Sequence, residues 1–223
     1  MSQGTLIGTG ESSEVVLRND TTVIKKFKKR NFFNDELKIL KMLDKNNVPR
    51  TVKMISFDKD NEHIMLPYIP YNLEKIIIGE SKKKLADLNI VMVIQELLLC
   101  LQDLHKNNII HGDYKAKNVQ INKSLKPIVI DFGLSCVNFG NDDCEKQKMG
   151  DLMKMWFIII QLLLGIDYKT SYQKKKGNIK KIKKDLPDLI DLYDEKNNNI
   201  SDIIDFFHEK DNIKKINNMI SKQ

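Results

Sequence analysis

The chain has 223 residues, 41% of them hydrophobic and 30% charged, enough to bury the core of one large domain or two modest lobes. This balance excludes a disordered chain. The most apolar stretch, Trp156–Leu164, falls well short of the about 20 residues a membrane span needs and reads as a buried helix. The net charge of +7 comes almost wholly from lysine, because Arg18, Arg30 and Arg50 are the only arginines. That scarcity speaks against a sequence-reading DNA binder, which favours the bidentate arginine fork, while the Lys, Asn and Ile excess equally suits an AT-rich genome.

In chain order, Thr5–Ile7 and Val15–Leu17 read as strands flanking a glycine-containing turn. Thr21–Phe27 alternates, with Val23 and Lys25 on one face and Ile24 on the other. A short helix over Asp35–Leu43 follows, then strands at Val52–Phe57 and His63–Leu66. Pro67 and Pro70 break regular structure. Leu88–His105 carries a wide apolar face and reads as a long helix. Short strands at Val119–Ile121 and Ile128–Ile130 bracket a Lys-Pro turn, and Asp151–Leu164 is a helix apolar nearly all round. Weaker helices are expected at Leu186–Tyr193, Ile200–His208 and Ile213–Ile220. The plan is α+β: a small β-rich lobe over residues 1–66, a hinge at 67–70 and a larger helical lobe over 71–223.

Cys100, Cys136 and Cys144 form no CxxC pair and leave an odd one out, which points to a reducing compartment. The first ten residues lack a basic region followed by an apolar run, so no signal peptide is expected. Together these place the chain inside the cell, in cytoplasm or nucleus.

Two segments carry chemistry. Gly8-Thr9-Gly10-Glu11-Ser12-Ser13 lies between two strands, where glycines let backbone N–H groups approach phosphates. Taken alone it reads better as an ordinary hairpin turn. It is no Walker loop, and the following strand argues against a dinucleotide site. The second segment says more: His111-Gly112-Asp113-Tyr114-Lys115-Ala116-Lys117-Asn118, then Asp131-Phe132-Gly133 eighteen residues after Asp113. Two carboxylates and an amide can converge there, one carboxylate taking a hydroxyl proton while the other and the amide offer hard oxygens to Mg²⁺.

HxDxKxxN followed by DFG resembles the catalytic and metal-binding segments of the eukaryotic-type protein kinase superfamily. The resemblance runs from residue 5 to about 165 and implies a bilobal fold that uses ATP and Mg²⁺. It implies that Asp113 accepts or orients the substrate hydroxyl proton and that Lys115 stabilises the transferring phosphoryl group. Asn118 and Asp131 would hold the metal. Ile7, Gly8, Gly10, Ser13 and Val15 would cover the nucleotide, with Val23 beside it. Thr22-Val23-Ile24-Lys25 resembles the VAIK strand, making Lys25 the phosphate ligand rather than Lys26, with Glu36 as its acidic partner. Leu66 falls at the gatekeeper, Pro67 and Ile69 at the adenine-facing hinge, and Gln120 where an apolar residue usually forms the adenine floor. Asp151 matches the aspartate that anchors the catalytic loop, though a plain helix N-cap reads as well.

The chain also departs from the family pattern. Gly112 replaces an arginine that receives a phosphorylated loop, so activity without loop phosphorylation is expected. Asp131 to Asp151 spans only twenty residues and contains no Ala-Pro-Glu. The HGD start resembles vaccinia-related kinases and the short segment the small kinase of the KEOPS complex, and a large DNA virus would suit the size. Asp-x-Lys is similar to Ser/Thr protein kinases; aminoglycoside and choline kinases share HGD but commonly lack that lysine. The eight lysines between Lys169 and Lys184 read as a solvated, partly disordered loop or as a surface for an acidic protein or RNA.

Overall fold

The computed structural model describes residues 4–138, 140, 142–194 and 199–222; the side chain of Cys144 lies outside what it describes. Five antiparallel strands build the first sheet, in the order β1-β2-β3-β5-β4. They are β1 (Thr5–Thr9), β2 (Ser13–Asn19), β3 (Thr22–Phe27), β4 (Ser56–Asp58) and β5 (His63–Pro67). Period-two alternation buries Val23, Lys25 and Phe27 on one face of β3. Helix α1 (Arg30–Lys45) buries Phe33, Glu36, Leu37, Leu40 and Leu43, a spacing that makes one apolar stripe. Phe27 and Phe33 meet edge to face with ring centroids 5.7 Å apart.

The helix begins five residues before its expected start at Asp35. Lys29 caps it without a side-chain hydrogen bond, so no Ser, Thr or Asp marks the boundary. The strand expected at Val52–Phe57 is mostly absent. Thr51 instead forms a parallel bridge with Val129, and Val52 N donates to Val129 O at 2.9 Å, drawing that stretch onto the second lobe. Only Ser56–Asp58 joins the sheet.

After irregular residues 68–70 the second lobe opens with β6 (Tyr71–Asn72) and α2 (Leu73–Ile77). Its long helix α3 (Ile90–Lys106) starts at Asn89, whose side chain accepts from Met92 N at 3.0 Å. The buried face of α3 includes Cys100, and burial pushes that thiol up to about 12, an inert packing residue. Two small sheets follow. One pairs β7 (Ile109–Ile110) with β10 (Cys136–Val137); the other orders β6, β8 (Val119–Ile121) and β9 (Pro127–Val129).

Helix α4 (Asp142–Leu164) runs through the centre, with Met155, Ile158 and Leu163 fully buried. The lysine run is not a loop. It forms α5 (Tyr168–Gln173), whose N-cap Asp167 accepts from Thr170 N at 2.8 Å, and α6 (Lys175–Asp185). Ile182, 1% exposed, pins α6 to the core. Helices α7 (Pro187–Asp194), α8 (Ile200–His208) and α9 (Lys210–Ile220) close the fold near their expected positions. Among the described residues, no helix is long and apolar enough to cross a membrane.

Candidate active site

The buried face of β3 delivers Lys25, and the first turns of α1 deliver Glu36 to meet it. Lys25 Nζ donates to Glu36 Oε1 at 2.8 Å and Oε2 at 2.7 Å, and to Asp131 Oδ1 at 2.7 Å. Lys26 faces outward and is exposed. One ammonium thus serves two carboxylates. Burial opposes the charge on Lys25, but Glu36 and Asp131 outweigh it and hold the amine above its ordinary value. Burial, reinforced by the charge on Asp131, pushes Glu36 up. Burial alone would also raise Asp131; its contact with Lys25 prevails and holds it down.

Asp131 has φ +63°, a left-handed backbone uncommon outside glycine and a form of strain that gathers at functional sites. Phe132, 1% exposed, packs its ring 4.9 Å from His111. A Cβ added to Gly133 would lie 3.2 Å from Glu36 Oε2 and 3.4 Å from Asp131 Oδ1, so glycine permits the close approach.

The loop from His111 to Asn118 faces this cluster from the second lobe, and every polar backbone group of its first three residues has a partner. Asp151 is no helix N-cap, because α4 begins nine residues before it at Asp142; its carboxylate accepts from His111 N at 2.8 Å and Gly112 N at 3.0 Å. Ser135 Oγ donates to His111 O at 2.8 Å, Lys154 Nζ donates to Gly112 O, and Asn118 Nδ2 donates to Asp113 O at 2.9 Å. Asp113 N donates to His111 Nδ1 at 3.2 Å, which leaves the proton on Nε2, 3.2 Å from Ile130 O. Burial holds the His111 imidazole below its ordinary value, so it sits there neutral.

The side chain of Asp113 lies 2.7 Å from Lys115 Nζ and accepts from Asn118 Nδ2 at 2.9 Å. With its amide nitrogen committed to Asp113, Asn118 has Oδ1 left to offer a cation. Among the described residues, no group of three His, Cys, Asp or Glu could hold a metal alone. The pair Asn118 and Asp131 suits Mg²⁺ that arrives with phosphate oxygens completing its shell.

The remaining expected residues lie on the first sheet, on the irregular stretch after it and on β8. Gly8 lies in β1 opposite Val15 and Gly10 at the β1–β2 turn, with Gly10 N donating to Ser13 O at 2.8 Å, and Ser13 is buried. Lys28 Nζ reaches Gly10 O at 2.8 Å. Ile7 is 46% exposed, and Val15 pairs directly with Lys25. Leu66 pairs with Val23 and Pro67 with Thr22, which sets Leu66 on the same sheet face as Lys25. Ile69 lies in the irregular stretch, and Gln120 lies on β8 opposite Asn72 and Ile128. Lys154 and Ser135 belong to no motif and escape a reading by pattern. A helix period offers one signal: Lys154 stands three residues after Asp151, on the same face.

This two-lobed α+β architecture, with a buried lysine bridged to carboxylates from both lobes, defines a class that comparison with known proteins identifies. The protein kinase domain family matches residues 1–155, and the chain belongs to that family. It is 29% identical over 166 residues to calcium-dependent protein kinase 4 of Plasmodium falciparum, covering 65% of this chain and 30% of that protein. It is 28% identical over 181 residues to a probable cell division protein kinase of Encephalitozoon cuniculi, covering 76% of this chain and 64% of that one. Cyclin-dependent kinase 12 of Drosophila melanogaster matches at 26% over 142 residues, 58% of this chain and 12% of that protein. The chain therefore spans less than two thirds of the length of these relatives.

Proposed function

We propose that the protein is a minimal, HGD-type Ser/Thr protein kinase that transfers the γ-phosphoryl of ATP to protein hydroxyls with Mg²⁺. The observation that carries this is the joint placement of Lys25, Glu36 and Asp131 in one contact cluster with Asp113, Lys115 and Asn118 in another. Residues 1–66 form the nucleotide-covering lobe, 67–70 the hinge and 71–223 the substrate lobe. The 8–13 turn, Val15, Val23, Leu66, Pro67, Ile69 and Gln120 enclose the nucleotide, and Lys25 orients its α- and β-phosphates. Asn118 and Asp131 would hold Mg²⁺, which when bound would neutralise charge at the phosphates. Asp113 orients the incoming hydroxyl and takes its proton at a carboxylate oxygen. Lys115, beside that carboxylate, offers an ammonium to the charge on the phosphoryl oxygens.

Activity does not wait for phosphorylation of the segment after Asp131, because Lys25, Glu36 and Asp131 already stand in contact. The absence of Ala-Pro-Glu keeps open a small-molecule acceptor, against which Lys115 argues. Three cysteines without a CxxC pair support a reducing setting, cytoplasm or nucleus, and the α5–α6 lysines support contact with an acidic protein or RNA. A radiolabelled Mg-ATP assay with generic protein acceptors tests the reading. Asp113→Ala should transfer about 10²–10⁴-fold less phosphate than the parent. Equal labelling by parent and variant, or labelling of choline or aminoglycosides in place of protein, would sink it.

A further inference from the structure

We propose that Lys154 is a positioning residue for the catalytic loop, holding the Gly112–Asp113 peptide from below. The inference deepens the kinase reading and rests on it. Helix α4 grips residue 112 at both polar groups. Asp151 accepts its N–H at 3.0 Å, and one turn further along the same face Lys154 donates to its carbonyl. That carbonyl belongs to the peptide whose nitrogen is Asp113 N, so its orientation sets the direction in which the Asp113 side chain leaves the backbone.

Residue 112 cannot supply a cation itself. Its φ is +78°, and a Cβ there would lie 2.2 Å from Leu134 O and 3.1 Å from the Leu134 carbonyl carbon. Under 3.0 Å from backbone, something must shift, so any side chain at 112 would displace the start of the segment after Asp131. Glycine lets Leu134 pack against the loop, and Ser135 then adds its bond to His111 O. The loop is thereby held from two directions, by α4 and by residues 134–135. Of the described side chains that grip the backbone of residues 111–113, Lys154 alone brings positive charge. A charged donor on a carbonyl is worth more than a neutral one, so its loss should loosen one peptide rather than the whole lobe.

Two readouts on the full chain test this, steady-state kinetics and amide hydrogen exchange over residues 109–118. Lys154→Met keeps the length of the stem and removes the donor; Lys154→Arg restores a donor. The expected result for Lys154→Met is a kcat on the order of tenfold lower with KM for ATP unchanged, and exchange at Gly112 and Asp113 faster by a similar factor. Lys154→Arg should recover most of both, and melting temperatures should confirm that each variant folds. If the parent transfers phosphate and Lys154→Met matches it in kcat and exchange, the proposal is overturned while the kinase reading stands. If the parent transfers none, that reading fails, and the exchange arm decides by itself whether Lys154 positions the loop. Equal losses in the Met and Arg variants would assign Lys154 to packing alone and also overturn it.

Discussion

Two charge clusters in this molecule share one composition, a cation between two carboxylates, and differ in burial. Lys25, Glu36 and Asp131 have side chains 6%, 1% and 47% exposed. Arg50, Glu96 and Asp103 are 24%, 27% and 28% exposed, with Arg50 Nε on Glu96 and Nη1 3.3 Å from Asp103 Oδ2. The first joins the two lobes across the cleft. The second staples the stretch after α1 to helix α3, beside the pairing of Arg50 O with Val129 N at 2.8 Å. Arginine, with several donors and a delocalised charge, suits a half-exposed staple. Lysine, a compact charge on a flexible stem, suits the proposed phosphate site, where its partner would change between carboxylate and phosphate. The pair Lys25 and Glu36 lies deeper than any side chain of the second cluster, so it is the more costly to desolvate and the poorer device for stability, while Asp131 at its edge is half exposed.

Breaking the first cluster should therefore cost activity most. Lys25→Met is expected to lower kcat/KM by about 10²–10³-fold, the scale for losing one aligned charged donor at a phosphoryl site. Stability should suffer less, because Glu36, already pushed up by burial, can take a proton once its cation is gone. Adding Glu36→Gln to Lys25→Met should return stability without returning activity. A double variant that regained transfer would end the distinction between the clusters.

The staple should behave in the opposite way. Arg50→Gln keeps the stem at a residue with φ +62° and removes both ion pairs. Chemical denaturation should show a loss of about 1–2 kcal/mol, since each pair is only partly shielded from water. Phosphoryl transfer should stay within about twofold of the parent. A loss of activity comparable to that of Lys25→Met would show that this anchor governs the placement of α1 and not merely its stability.

What could be read from the sequence follows how local each determinant is. Strand alternation sets Lys25 inside and Lys26 outside, and HxDxKxxN with DFG brings Asp113, Asn118 and Asp131 together in chain order. Glu36 is legible only as an acid on the next helix, because the start of α1 has no capping side chain to mark it. The helices of the lysine run hide because Ile179 and Ile182 are the only large apolar residues of α6, too few for a periodic signal. Gly112 is visible as a departure from the family, yet its reason is the carbonyl of Leu134, twenty-two residues away in sequence. Lys154 carries no motif at all. Its role depends on where α4 passes beneath the loop, which is a tertiary fact.

If burial is what separates the two clusters, it should also show at His111, a group within the site that is kept neutral. Its imidazole accepts from Asp113 N and donates to Ile130 O, and burial holds it below its ordinary value although Asp151, Ile130 O, Asp131 and Asp113 favour the charged form. Below about pH 6.5 the unfolded chain binds a proton at this residue that the folded chain does not. Stability is therefore present above that value and lost as pH falls through it, by at most about 1.4 kcal/mol per pH unit. Glu36, pushed up, contributes with the opposite sign in acid, and His63, pushed down by burial and by Lys26, with the same sign. Both persist in His111→Asn, whose amide still offers an acceptor and a donor, so the difference between the two proteins isolates His111. Urea unfolding at pH 7 and pH 5.5 should show the parent losing up to about 1.4 kcal/mol more than His111→Asn. Equal losses in the two proteins would mean that His111 takes up its proton in the folded site as readily as in the open chain, and burial would then not be what distinguishes the first cluster from the second.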